Sequence, residues 1–377
     1  MKQKPPWTAL RLTFHRFAPL AGLAMLAAGC AGEPPAGTAP SVNSADAHAL
    51  IDQSMPGNLP DRAGWETDIY AGFTVQNLQF SRENICAVIA VIEQESGFRV
   101  DPVVPHLGKI AWREIDTRAA RAGVPPTLVH GVLQLPSSTG RSYSERIDGA
   151  KTEKDLSDVF EDFISSVPMG RTLFAGKNPI RTRGPMQVNI AFAEAYAALR
   201  PYPYPVKLSI ADEVFTRRGS LYFGIAHLLA YAPPYDLYLY RFADFNAGQY
   251  ASRNAAFQRA LSGISGIVLQ ADGALLPHDP EAKPAGDTER AARALGPRLH
   301  LNDDAIHDAL EQGKTKDFER TSMYRRVFAL ADQKAGRALP RAVVPRIKLQ
   351  GPKITRNLTT EWYAHRVDER FERCVKR

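Results

Sequence analysis

The spacing of hydrophobic residues along the chain predicts a mainly helical protein. In residues 82–96, apolar side chains recur every three or four positions from Ile85 to Ile92, and Ser81 is suited to cap the first turn. Similar patterns predict further helices near 111–121, 126–134, 155–165, 186–199, 212–231, 237–247, 252–262, 303–312, 318–334 and 359–375. Residues 341–355 favour a short β segment instead. The predicted fold class is therefore mainly α, with a short β segment near the C-terminus.

The first 30 residues have the pattern of an export signal. A cationic stretch precedes an apolar run from Phe17 to Ala28, which is too short for a permanent membrane span. The run leads into "LAAGC", which resembles a bacterial lipobox, although Leu26 stands one position earlier than the usual leucine. The resemblance implies a signal peptide at 1–29, a lipid on Cys30, and an outer-membrane protein that faces the periplasm. The alternative is an ordinary cleaved signal with an incidental cysteine.

Composition divides the rest of the chain. Residues 30–60 are rich in small and polar residues and bury too little surface to fold alone, so they are predicted to be a flexible tether. Residues 61–377 are numerous enough for a substantial core, in one large domain or two closely packed ones. The polar stretch 271–286 is the best internal boundary. It separates a domain at 61–270 from a helical extension at 287–377.

Charge and motif content limit the classes of function. The formal net charge is +7, but four positive side chains lie in residues 1–29, so the mature chain carries only about +3. This charge is too mild to indicate a nucleic-acid partner. The nine histidines lack the spacing of a metal site, and the chain has neither a phosphate-binding loop nor a G-x-S-x-G motif. No metal and no cofactor are therefore expected.

Two cysteines, Cys86 and Cys374, remain in the mature chain. In an exported protein such a pair is often a disulfide, which here would join the helix at 82–96 to the last helix. The alternative is two reduced, buried thiols.

Glu95 is the main candidate for acid–base chemistry. On a helical wheel it falls between Val88 and Val91, within the apolar face, whereas Glu93 falls at the margin of that face. A carboxyl group that faces apolar neighbours loses hydration, so its pKa rises and it can serve as a general acid near neutral pH. The alternative is a structural glutamate held by an arginine or by backbone donors.

Two segments further along the chain place polar residues at predicted helix ends. They are "RGPMQVN" at residues 183–189 and "ADFNAG" at residues 243–248. With Glu95-Ser96 they resemble, in the same order, three motifs of the lytic transglycosylase and goose-type lysozyme superfamily. Those motifs are a Glu-Ser pair, a Gly-Leu-Met-Gln stretch and an Ala-Tyr-Asn-Ala-Gly stretch. The resemblance spans parts of residues 82–260, and it extends to a group of uncharacterised bacterial lipoproteins with these motifs.

The resemblance implies a lysozyme-like α-helical catalytic core at 61–270 with a long helical insertion at about 99–182. Glu95 would be the catalytic acid, and the Ser96 hydroxyl would orient the reacting region. The residues expected to contact glycan are Ser96, Gly184, Met186, Gln187, Phe245, Asn246 and Gly248. Neutral amides suit this task because they both donate and accept hydrogen bonds.

The implied reaction needs a single carboxyl group. Glu95 would protonate the glycosidic oxygen between N-acetylmuramic acid and N-acetylglucosamine. Its carboxylate would then take the proton of the sugar's 6-hydroxyl, which closes a 1,6-anhydro ring without consuming water. Hydrolysis of the same bond by the two-carboxylate scheme would need a second acid, for which Glu93 and Asp244 are the candidates.

The motifs depart from the family pattern at three positions. Pro185 replaces a leucine, Asp244 replaces an alanine, and Phe245 replaces a tyrosine that often hydrogen-bonds the catalytic glutamate. Another group must then hold Glu95, and Tyr240 and Tyr250 are the candidates.

Two functions from different classes follow from this sequence. The first is a murein transglycosylase that acts on peptidoglycan strands. The second is a non-catalytic glycan-binding or scaffolding lipoprotein, in which the insertion blocks the cleft instead of forming its wall. In both, contact with the membrane would be through the N-terminal lipid, and protein partners stay unspecified. The C-terminal helix could form a partner-binding face, although such a helix more often packs on its own domain.

Overall fold

The computed structural model describes residues 43–167, 169, 178, 180–277, 286–349 and 356–377. The predicted signal peptide and Cys30 lie outside these residues. The described helices are α1 (Ser44–Ser54), α2 (Arg62–Val75), α3 (Arg82–Glu95), α4 (Leu107–Arg121), α5 (Pro126–Leu133), α6 (Tyr143–Asp148), α7 (Glu153–Ser166), α8 (Ile190–Leu199), α9 (Ile210–Glu213), α10 (Arg217–Leu229), α11 (Tyr238–Ala247), α12 (Ala251–Ser265), α13 (Asp287–Ala294), α14 (Gly296–Leu299), α15 (Asp303–Glu311), α16 (Ser322–Ala335) and α17 (Thr360–Val375). Two 3₁₀ segments, Gln312–Lys314 and Lys316–Arg320, lie between α15 and α16.

The mainly α fold class is confirmed. Within the described residues the only sheet has two strands, β1 (Thr182–Arg183) and β2 (Val188–Asn189), which pair antiparallel. None of the helices in this part of the chain is long and apolar enough to cross a membrane.

Helix α3 is the centre of the main core. Ser81 caps it by accepting a hydrogen bond from the Asn84 amide, as predicted. Every residue from Ile85 to Ile92 is buried, because this stretch is apolar on all faces of the helix and packs on several sides. Helix α17 lies along α3 and also packs on α11, whereas α10 packs on α2. The last helix therefore packs on its own chain.

The cysteine pair is joined. Cys86 on α3 and Cys374 on α17 form a disulfide between Cα atoms 5.5 Å apart, across 288 residues of sequence. Both cysteines are buried. The bond therefore fixes the last helix against the central one.

Two further clusters of buried apolar residues surround this core. The insertion folds as α4 to α7 around Leu107, Leu133, Ile147, Leu156 and Val159. The C-terminal extension packs α13 to α16 on α12, around Phe257 and its neighbours.

The structure differs from the sequence prediction in the tether. Residues 44–54, expected to be flexible, form α1, which packs on α2 and α3. Asn43 caps this helix with its side-chain oxygen, and Ile51 is fully buried. One capping residue and a few anchoring side chains outweigh a composition rich in alanine and serine.

Three element boundaries also differ. The expected β segment at 341–355 has no strand within its described part, 341–349, where an isolated bridge pairs Lys348 with Thr359. The helix expected to begin at 186 begins at Ile190, because residues 184–187 form the turn between β1 and β2. The helix expected at 212–231 is divided into α9 and α10, since Thr216 caps a new helix.

Candidate functional site

Glu95 is the last residue of α3 and is half-buried. The Tyr363 hydroxyl, from the first turn of α17, donates a hydrogen bond to Glu95 Oε1 at 2.6 Å. Tyr363 is buried, and its pKa lies well above the usual value because burial and the neighbouring Glu95 charge both disfavour a phenolate. The hydroxyl thus keeps its proton and acts as the donor. The short separation is typical of a hydroxyl that donates to a carboxylate.

The same helix turn holds the third motif. Thr360, three residues before Tyr363 and on the same helix face, donates from Oγ1 to Asn246 Oδ1 at 2.8 Å. Helix α17 therefore connects Glu95 to Asn246, although the two lie 151 positions apart in the chain. This link between the first and third motifs was not part of the sequence prediction.

Tyr363, and not the predicted Tyr240 or Tyr250, donates the hydrogen bond to Glu95. The ring of Tyr240 packs on Tyr235 at a centroid distance of 5.3 Å, and the ring of Tyr250 packs on Tyr231 at 5.1 Å. The hydroxyls of Tyr231 and Tyr235 both donate to Asp244. Both tyrosines thus belong to the surroundings of Asp244 rather than to those of Glu95.

Asp244 is fully buried and serves as a structural acceptor. The hydroxyls of Tyr231 and Tyr235 and the backbone N–H groups of Tyr250 and Ser252 all donate to its carboxylate. Burial raises the pKa of Asp244, while these hydrogen bonds oppose the rise. With no exposed surface, this carboxyl cannot activate a water on a bound glycan. Asp244 is therefore a poor second acid.

Glu93, the other candidate for a second acid, lies on the outside of α3. Its carboxylate is 3.6 Å from Arg370 Nε and 3.6 Å from an Arg373 Nη atom, both on α17. It is partly exposed, as the helical wheel predicted, and it contributes a peripheral ion pair between α3 and α17.

The second motif forms a tight turn between β1 and β2. Gly184 has φ of +70°, and a side chain there would overlap the Val214 carbonyl, so glycine is required. Met186 is fully buried against Gly224 of α10, and its backbone N–H donates to Ser220 Oγ at 3.0 Å. Met186 is therefore a core residue and not, as predicted, a residue that contacts glycan.

The Gln187 amide is engaged within the protein. Its Oε1 accepts from the Thr182 hydroxyl at 3.0 Å, and its Nε2 donates to Glu153 Oε2 at 3.1 Å and to the Gly184 carbonyl at 3.3 Å. Glu153 begins α7, so this amide ties the β-turn to the insertion. Its predicted role as a glycan contact would require exchange of these bonds.

The remaining predicted site residues have local roles. Ser96 is buried, and its hydroxyl donates to the Ile92 carbonyl one turn earlier, so the hydroxyl is engaged within the end of α3. Gly248 ends α11 with φ of +110°, a backbone conformation that residues with a side chain rarely adopt, although there is open space around it. Phe245 is half-buried and packs against the main core.

His227 was not singled out in the sequence. It lies between the rings of Phe192 and Phe245, with centroid distances of 4.5 and 5.1 Å, and its Nε2 is 3.2 Å from the Phe245 carbonyl. Burial lowers its pKa to about 4. Nε2–H is then the donor, and buried Nδ1 has no hydrogen-bond partner among the described residues. His227 is therefore a neutral packing residue.

This histidine predicts a defined pH dependence of stability. Between about pH 6.5 and pH 4 the unfolded chain protonates this imidazole and the folded chain does not, so stability falls as the pH falls. His227→Gln keeps a donor for the Phe245 carbonyl and is expected to reduce the loss between pH 7.5 and pH 4.5 by roughly 2–3 kcal/mol. Urea unfolding at both pH values measures it. His365→Gln, at an exposed position, is the control, and equal slopes for both variants would contradict the assignment.

The described residues contain no group of three His, Cys, Asp or Glu side chains that could hold a metal ion. A large cavity lies in the insertion, among α4 to α7, and Glu95 does not line it.

These features define a mainly α-helical protein in which a disulfide fixes a C-terminal helix against the carboxyl group of a buried central helix. The chain belongs to the family described as "Protein of unknown function (DUF1615)", which it matches over residues 58–377. It is 48% identical over 365 residues to "Uncharacterized protein YaiW" of Escherichia coli (strain K12). The aligned region covers 96% of this chain and 99% of that protein. No solved structure matches the chain.

Proposed function

We propose that this protein is a peptidoglycan lytic transglycosylase in which Glu95 is the single acid–base group. The observation that supports the proposal best is the hydrogen bond from Tyr363 to Glu95. The superfamily that the motifs resemble often holds its catalytic glutamate with a tyrosine from the third motif, and this chain has Phe245 at that place. Tyr363 supplies the same hydroxyl from another helix.

Each step assigned to Glu95 needs a carboxyl group at a fixed position. In its protonated form it donates to the glycosidic oxygen, and in its ionised form it accepts the proton of the 6-hydroxyl. The Tyr363 hydroxyl stabilises the ionised form and fixes the orientation of the carboxyl between the two steps. It is a positioning residue, since it acts through Glu95.

The surroundings of Asp244 and Glu93 favour ring closure over hydrolysis. A hydrolase of the two-carboxylate type needs a second carboxylate that faces the sugar ring and a water molecule. Asp244 is fully buried, and Glu93 lies beside two arginines of α17. In the proposed reaction the sugar's own hydroxyl is the nucleophile, so no second carboxylate is required.

We also propose the location that the N-terminal sequence indicates. A lipid on Cys30 would attach the protein to the outer membrane, facing the periplasm. Peptidoglycan would then be within reach of residues 43–377.

A second candidate function has its own supporting observation. The polar groups expected to contact glycan are engaged within the chain, with Thr360 on Asn246 and with Thr182 and Glu153 on Gln187. If these contacts persist in the presence of glycan, they favour a glycan-binding or scaffolding lipoprotein without catalytic activity.

Product analysis separates the two candidates. Protein lacking residues 1–30 is incubated with purified sacculi, and the released muropeptides are identified by mass spectrometry. The proposal predicts products that end in 1,6-anhydro-N-acetylmuramic acid. Products with reducing ends would show hydrolysis, and retention on sacculi without release would support the scaffolding function.

A further inference from the structure

The insertion forms a cavity of about 990 Å³ among α4, α5, α6 and α7, which is partly open to solvent. It is lined by 22 residues, of which 17 are apolar. The apolar residues come from all four helices and include Ile110, Leu128, Val132, Ile147, Leu156 and Phe163. Its volume is at the upper end of the roughly 300–1,000 Å³ found for small-molecule sites, and a mostly apolar lining with a few polar groups is typical of such sites.

Within the part of the chain that the structure describes, helix α5 presents a partly uncovered hydrophobic face to this cavity. Leu128 and Val132, one turn apart on that helix, retain 60% and 38% of their surface exposed. Exposed apolar faces of this kind are uncommon on soluble proteins and mark binding sites when they are concave. The face belongs to a cavity walled by four helices, so it fits a ligand that enters the protein better than a flat partner surface.

The five polar lining residues fall into two sets. On α4, Glu114 and Arg118 form an ion pair at 2.6 Å. At the start of α7 and around β1 stand Glu153, Arg181 and Thr182, next to the turn that carries Gln187. The two cations are guanidinium groups, which bind carboxylates through paired hydrogen bonds.

We propose that this cavity binds a long-chain fatty acid, with the acyl chain between α4, α5 and α7 and the carboxylate at Arg181. An acyl chain has no hydrogen-bonding groups, so it suits walls that offer none. An extended peptide would bring backbone N–H and C=O groups that 17 apolar side chains cannot satisfy. A helix, about 10–12 Å across, would fill the volume within roughly two turns, too short to bind stably.

Delipidated protein is titrated with laurate, myristate and palmitate, with displacement of a fluorescent apolar probe as the signal and native mass spectrometry for stoichiometry. One molecule per chain is expected, with affinity rising up to about fourfold for each added CH₂. Absence of binding, or affinity independent of chain length, would overturn the proposal.

Two variants locate the ligand. Leu128→Glu with Val132→Glu places charge on the cavity face at exposed positions, and it is expected to lower palmitate affinity at least tenfold with unchanged thermal unfolding. Leu199→Glu with Leu208→Glu, on exposed leucines outside the cavity, is the matched control and is expected to leave affinity unchanged. Equal loss in both double variants would overturn the assignment to this cavity.

A third comparison tests the headgroup. Arg181→Gln is expected to weaken palmitate about tenfold and to leave hexadecanol unaffected. Equal weakening of both ligands, or of neither, would overturn the assignment of the carboxylate to Arg181. Glu95→Gln is expected to bind palmitate normally, so failure of the proposed transglycosylase activity would not be mistaken for failure of this site.

Discussion

Glu95→Gln is expected to lower the release of anhydro-muropeptides from sacculi by about 10²–10⁴-fold, the usual contribution of a general acid–base group. Glutamine has nearly the same shape, and its carbonyl oxygen can still accept the Tyr363 hydrogen bond. It has no acidic proton to donate to the glycosidic oxygen, and it cannot take the proton of the 6-hydroxyl. The measurement is the rate of product formation by quantitative mass spectrometry.

Glu93→Gln is the matched control for this variant. It makes the same chemical change two residues away, at a carboxylate paired with α17 arginines, and it is expected to keep most of the activity. The activity of Tyr363→Phe is expected to lie between those of Glu95→Gln and Glu93→Gln, with a kcat roughly tenfold below that of the unmodified protein and a shifted pH–rate profile. Full activity of Glu95→Gln, or loss only in Glu93→Gln, would remove Glu95 as the acid.

Asp244→Ala is expected to destabilise the fold by about 3–5 kcal/mol, the usual cost of breaking a buried charged network. The alanine leaves two tyrosine hydroxyls and two backbone N–H groups buried without an acceptor. These donors join α11 to the start of α12 and to the loop between α10 and α11. Chemical denaturation monitored by circular dichroism gives the change in free energy of unfolding.

Asp236→Ala is the control for this loss of stability. Asp236 lies in the same loop as Tyr235 and is exposed, so its removal is expected to change stability by less than about 0.5 kcal/mol. A small effect at both positions would mean that the network around Asp244 is not an important source of stability.

Hydrophobic periodicity was sufficient to predict the position and bounds of the helices that have strong apolar faces. The helix at 82–96 and the last helix lie within a residue or two of their predicted bounds, because Ile85 to Ile92 and the apolar residues of α17 fix both phase and length. Helix α1 was missed because its stability comes from tertiary packing of Ile51 and not from a local pattern. Short polar helices contain too few apolar residues for hydrophobic periodicity alone to predict them.

The partner of Glu95 could not be read from local pattern, because 268 residues separate it from Tyr363. The cysteines held the missing signal. Suppose that a Cys86–Cys374 disulfide joins two antiparallel helices. The position nine residues after Cys86 then lies about 14 Å along the helix axis from the disulfide, and the position eleven residues before Cys374 lies about 17 Å along it in the same direction. Those positions are Glu95 and Tyr363. Disulfide pairing was an open alternative in the sequence, so this calculation had no fixed starting point.

The position of Tyr363 also sets when the site can form. Tyr363 follows Glu95 by 268 residues, so at about 5–20 residues per second the ribosome makes the carboxyl roughly 13–54 s before its hydroxyl partner. Nascent and prematurely terminated chains therefore lack the completed pair. Glu95 therefore gains its positioning hydroxyl only after residue 363 has been made and α17 has packed on α3, so the fully positioned carboxyl cannot form before this helix docks.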